Sequence, residues 1–199
     1  MTTTLQNIGS IAPMAGAKDT DPADPVRTDY EEGRRFLQNR EYSQAAVSLH
    51  NALVGFEKRG EETGIANASN QLGHVCLARQ EFTQALQHYQ RALGICDKLQ
   101  DQMSLVAVQK KLIEVFRGLN DHSKAIEICL ELLDSYHRNN DPRGTVEILE
   151  EMALIYLDSG NKGKAADAYR TVASIHRNFR HHSIAESYVK KAEDIDQAA

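Results

Sequence analysis

The chain has no dominant charge, few cysteines and no long apolar run, and each shortage removes a class of function. Its 23 lysines and arginines are outnumbered by 28 aspartates and glutamates, for a net charge of −5. No basic stripe offsets that balance, which argues against a nucleic-acid partner. The three cysteines, Cys76, Cys96 and Cys129, are odd in number and fall at apolar positions of helical patterns. They read as reduced core residues and not as a disulfide framework. The short apolar piece Ile11 to Ala17 has no basic residue before it and is too short to span a bilayer or direct secretion. The expected location is therefore cytoplasmic, with no membrane partner. No phosphate loop, nucleophile elbow, paired-cysteine zinc pattern or glycine-rich dinucleotide fingerprint occurs, so no enzyme and no cofactor is expected.

What the sequence does have is a period of forty. Ala45, Ala85, Ala125 and Ala165 recur at that interval, each followed four residues on by Leu49, Tyr89, Cys129 or Tyr169, and three later by Ala52, Ala92, Leu132 or Val172. These are helical spacings. A second set lies twelve residues before each alanine, at Gly33, Gly73, Ile113 and Ala153, with Phe36, Cys76, Phe116 and Tyr156 three further on. Each repeat is thus two helices, and such a unit buries its apolar face on its neighbours instead of in one closed core.

The repeats are expected at about 28–60, 61–100, 101–140 and 141–180, within a helical region 27–180, the first pair of helices covering Thr28–Gln38 and Tyr42–Lys58. Polar links such as Asn39-Arg40-Glu41 and Ser159-Gly160-Asn161 are too short for anything but antiparallel hairpins. At Asn140-Asp141-Pro142, Asn140 suits a left-handed helix end, Asp141 a cap and Pro142 a first helical position. Gly60 shares the register of Asn140. Residues 1–26, rich in Thr, Ala, Asp and Pro, are expected as a disordered tail. Beyond Arg180 the forty-residue sequence pattern stops. Region 181–199 still carries a stripe of Ile184, Tyr188, Val189, Ala192 and Ile195, which reads as a capping helix. The clustered His176, His181, His182 and Glu186 are the nearest thing to metal ligands, and they read as solvated side chains at a helix junction.

Leu72-Gly73, Cys76, Glu81-Phe82, Ala85-Leu86, Tyr89 and Ala92-Leu93 together resemble a tetratricopeptide repeat. The resemblance implies an all-α, right-handed α-solenoid of four helix-turn-helix units plus the C-terminal capping helix. A repeat of forty in place of the common 34 residues, without the usual closing proline, resembles the adaptor repeats of the Partner-of-Inscuteable family and the bacterial peptide-sensing regulators. Arrays of that kind hold partner peptides in a concave groove lined by the first helix of each repeat.

Carried onto this sequence, the resemblance places in that groove Tyr30, Arg34 and Leu37; Asn67, Asn70, His74 and Leu77; Lys110, Glu114 and Arg117; and Glu147, Glu150, Leu154 and Leu157. Asparagine and arginine suit the backbone or carboxylates of an extended peptide, and leucines suit its apolar side chains. A plainer reading pairs Lys110 and Lys111 with Glu150 and Glu151. Two other groove chemistries do not fit. Tyr30 and Ala107 stand where a carboxylate clamp has lysines, and Glu31, Gln71, Lys111 and Glu151 stand where a sugar-transferring array has asparagines. The expected role is a non-catalytic adaptor or scaffold that binds another protein or peptide, or alternatively a regulatory or chaperone-like protein that masks a client or effector. A homo-oligomer is possible but not indicated.

Overall fold

The structure is a computed structural model that describes residues 24–197. The disordered tail expected over 1–26 therefore lies almost wholly outside the described residues. Regular structure among the described residues is helical throughout: α1 Pro25–Gln38, α2 Tyr42–Arg59, α3 Glu62–Ala78, α4 Phe82–Lys98, α5 Gln102–Gly118, α6 His122–Arg138, α7 Pro142–Asp158, α8 Lys162–Asn178 and α9 His182–Gln197. The helices group into two compact units that divide after Val115, within α5.

A twenty-residue backbone unit underlies the forty-residue sequence period. Arg40, Gly60, Gln80, Gln100, Asn120, Asn140, Gly160 and Arg180 all have φ between 51° and 75°. After each, the next backbone N–H bonds back to a carbonyl five residues earlier, as in Glu41 to Phe36 at 2.8 Å and Glu81 to Cys76 at 2.8 Å. This is the Schellman closure, which needs a left-handed residue just past the helix end. Only two of the eight are glycine. A side chain in that conformation costs about 1–2 kcal/mol, partly offset by the extra chain entropy that glycine loses on folding. Gln80→Gly is accordingly expected to stabilise the protein by about 0.5–1 kcal/mol, read as a raised melting temperature.

The helix starts differ along the chain. Asp141 accepts from the N–H groups of Arg143 and Gly144, and Asp121 and Asn161 cap their helices through Lys124 and Lys164. The first helix begins at Pro25, three residues before the expected Thr28, because Asp24 caps it by accepting from Val26 N–H. Arg59 at the end of α2 then grips both Asp24 oxygens at 2.7 Å. That bond holds the Asp24 carboxyl down at about 2.

Close packing follows the small residues. In the first unit Ala45 and Ala85 are fully buried. A Cβ added to Gly73 would stand 2.6 Å from the Tyr89 ring, and one added to Gly33 would stand 2.6 Å from Leu49. The glycines therefore let α1 approach α2 and α3 approach α4 closely enough for Leu49 and Tyr89 to fill the crossings. A second kind of contact joins successive hairpins, with Phe56 against Gly64 in the first unit and Tyr136 against Gly144 in the second. Helix α3 packs on both α2 and α4 and also reaches α1, so it is buried on most sides from Ala66 to Cys76.

In the second unit α9 packs on α8. Ala192 is buried, and Tyr188 and Ile195 pack against Ala153, Ala166, Ala168 and Tyr169. The expected apolar stripe needs one correction, since Ile184 is 46% exposed and Ala185 is the buried residue instead. The backbone register does not stop at Arg180 either: α9 sits where the first helix of another repeat would begin. Its positions matching Ala66, Gly73 and Cys76 hold Glu186, Glu193 and Asp196. The face that in α3 meets the following helix thus carries carboxylates in α9.

Candidate functional site

In the first unit the predicted groove positions lie on α1, α3 and the part of α5 up to Val115. Tyr30 packs edge-on to Phe56 with ring centroids 6.1 Å apart, and its burial pushes the hydroxyl up to about 12. The Arg34 guanidinium lies over the Tyr30 ring at 5.7 Å and bonds Glu31 at 3.3 Å. Leu37 is half-buried against the first core cluster, and Asn67 and Leu77 are also half-buried.

Asn70 departs from expectation. It is 1% exposed, so its amide is held inside the fold instead of offered to a peptide. That amide lies 3.2 Å from His74 Nε2, and the Tyr89 hydroxyl lies 2.9 Å from His74 Nδ1. Burial, with a smaller contribution from Lys111, pulls His74 down to about 4. The neutral imidazole has one N–H, so it donates through one nitrogen and accepts through the other. Asn70, His74 and Tyr89 thus form an internal polar network beneath the face. On α5, Lys111 bonds Glu114 at 3.2 Å, and Lys110 is half-buried with interactions of its own.

In the second unit Arg117 is the organising charge. Its Nε and Nη2 donate to Asp158 at 3.0 and 2.8 Å, and its Nη1 donates to Glu151 at 3.2 Å. Glu150 accepts the Tyr188 hydroxyl of α9. Lys111 bonds Glu114 on its own helix in the first unit, and Glu151 accepts from Arg117 in the second. Leu154 is 37% exposed and Leu157 half-buried on the same helix, α7, as half-buried Glu147.

Among the described residues no group of three or more His, Cys, Asp or Glu is placed to hold a metal ion. Burial raises the thiols of Cys76, Cys96 and Cys129, which removes the thiolate character that a nucleophile needs. No described helix is long and apolar enough to cross a membrane.

The sequence motif and the hairpin geometry meet in residues 68–103, which match the family model described as tetratricopeptide repeat. Residues 68–103 are a tetratricopeptide repeat. The match covers most of α3, all of α4 and the glycine crossing between them. Solved structures extend the likeness over most of the chain. A kinesin-light-chain-type protein of Podosopora anserina built of nearly identical TPR-like repeats superposes with a TM-score of 0.72 at 16% identity, covering 88% of this chain and 90% of that one. The apo form of RapI gives 0.71 at 14% identity over 87% of this chain and 64% of its own. Aspartyl phosphate phosphatase F of Bacillus subtilis gives 0.58 at 16% identity over 86% of this chain, which spans about half (49%) of its length. At these identities the likeness is one of fold, the TPR-like helical solenoid. No curated protein matches the chain.

Proposed function

We propose that this protein is a non-catalytic adaptor that binds an extended, acid-containing segment of another protein on the first-helix faces of its repeats. One observation carries the reading. In the first unit those faces combine apolar surface, Leu37 and Leu77, with the cation of Arg34 and the amide of Asn67, each of them partly open to solvent. A mixed surface of that kind suits a peptide, whose backbone needs polar partners and whose side chains need apolar floor. The binding set is accordingly Tyr30, Arg34, Leu37, Asn67, Leu77, Lys110 and Glu114 in the first unit, with Glu147, Glu150, Leu154 and Leu157 offering a second face that Arg117 orders through Asp158 and Glu151. His74 and Asn70 act from below by holding α3 and α4 in place.

Partner capture by native pull-down and mass spectrometry comes first, followed by charge reversal. Arg34→Glu combined with Lys110→Glu is expected to weaken binding more than about tenfold, equivalent to about 1.4 kcal/mol, with helix content unchanged. Association should also slow as salt rises. Lys191 is unsuitable as a control because it lies over the rings of Tyr169 and Tyr188. Lys58→Glu with Lys190→Glu, both at exposed positions, is the control expected to bind normally. Normal binding by the Arg34 and Lys110 variant, with loss in the control, would place the partner elsewhere.

A further inference from the structure

The corner between α8 and α9 brings two imidazoles together, with His176 Nδ1 and His181 Nδ1 standing 3.4 Å apart. The backbone fixes both residues. The His181 N–H donates to the His176 carbonyl at 2.9 Å, closing the left-handed turn at Arg180. Aromatic neighbours then hold the rings. His176 stacks on Tyr188 at 5.6 Å with the planes 5° apart, and Phe179 stacks on His181 at 6.4 Å and 28°. Tyr188 is itself anchored by Glu150 and by stacking on Tyr169. His181 is exposed and His176 half-buried, so the pair is open to solvent.

We propose that His176 and His181 form a binding site for a divalent transition-metal ion of the zinc, nickel and copper group. Two imidazole nitrogens, each about 2.0–2.1 Å from a tetrahedral ion, lie about 3.3–3.4 Å apart. The observed separation is that distance, set before any ion arrives. Imidazole nitrogen suits zinc, nickel and copper, whereas magnesium and calcium select oxygen donors. The ion takes the place of the proton between the two Nδ1 atoms, and each ring then carries its own proton on Nε2. Water fills the remaining positions, because among the described residues no third protein ligand stands with the pair. The ion staples the end of α8 to the start of α9, and the water positions leave room for a carboxylate or imidazole from a binding partner.

The test is titration of the full chain, free of any affinity tag, with zinc chloride and nickel chloride by calorimetry, alongside thermal melts. Saturable binding of one ion per chain and a raised melting temperature are expected, with no response to magnesium. His176→Gln and His181→Gln should each weaken binding at least about tenfold, since loss of even a supporting outer partner costs about 10–100-fold. His182→Gln should bind as the parent does. Circular dichroism of each variant shows that it is folded. Absence of saturable zinc binding, undiminished binding by the double variant, or equal loss in His182→Gln would overturn the assignment.

Discussion

Tyr89→Ala is expected to lower the unfolding free energy by about 3–5 kcal/mol, the range for truncating a large buried aromatic. The Tyr89 side chain has no exposed surface and fills the crossing of α3 and α4 where Gly73 leaves room for its ring. Truncation leaves a cavity between two helices that other contacts hold apart, and leaves His74 without its hydroxyl partner. Tyr89→Phe separates the two losses. It keeps the volume and removes the hydrogen bond, for about 1–2 kcal/mol. Gly73→Ala supplies the complementary test. Alone, its methyl would press on the ring, but in the Tyr89→Ala background the clash is gone and alanine's better helix propensity, about 1 kcal/mol, remains. Chemical denaturation followed by circular dichroism should therefore show strong non-additivity between the two positions. Additive effects, or a Tyr89→Ala protein that unfolds with its parent, would mean that the crossing is not where the structure puts it.

Mild acid is expected to loosen the same region. His74 is held neutral, its folded value near 4 against an ordinary 6.5. Between those values the unfolded chain takes up a proton that the folded chain refuses, so stability is complete above about pH 6.5 and falls progressively to about pH 4. The full difference corresponds to about 3 kcal/mol, reduced by the part of the ring that water still reaches. His88, also lowered by burial and by Arg91 and His50, adds in the same direction. In a melting series from pH 7 to 4, His74→Gln should flatten much of the slope. Parent and variant curves that stay parallel would show that His74 is not the group responsible.

The repeat, its two helices and the buried alanines were legible because burial imposes spacing. A residue that must face a neighbour every forty positions leaves a mark in the sequence whatever the neighbour is. The start of the first helix was legible too, but was missed: Asp24-Pro25 is the same pair as Asp141-Pro142, and it caps in the same way. The twenty-residue backbone unit was harder to see, since its left-handed positions are occupied by Arg, Gln, Asn and Gly in turn. Turn closure by backbone hydrogen bonds does not demand one residue type.

The end of the stack was misread at Ile184 because an apolar residue at helical spacing need not face inward. Its register match to Gly64 and Gly144 was the available signal. The face itself was only partly legible. Positions on the first helices follow from the register, but which of their side chains are spent on the fold does not. Asn70 disappears into a network with His74 and Tyr89, and Arg117 is claimed by Glu151 and Asp158. Apart from Asn70 with His74, one helical turn away, those are contacts between residues distant in sequence, which a period cannot report.

On the proposed function a partner lies on the first helices and not the second. Hydroxyl-radical footprinting of the full chain, with and without the captured partner, distinguishes the two faces. Large apolar side chains are exposed on both helix types, Leu154 on α7 against Val47 on α2 and Leu130 on α6. Protection is predicted at Tyr30, Leu37 and Leu77, extending to Leu154 and Leu157 if the second face is engaged, with Val47 and Leu130 labelled as in the free protein. Protection confined to Val47 and Leu130, with the first-helix residues unchanged, would contradict it.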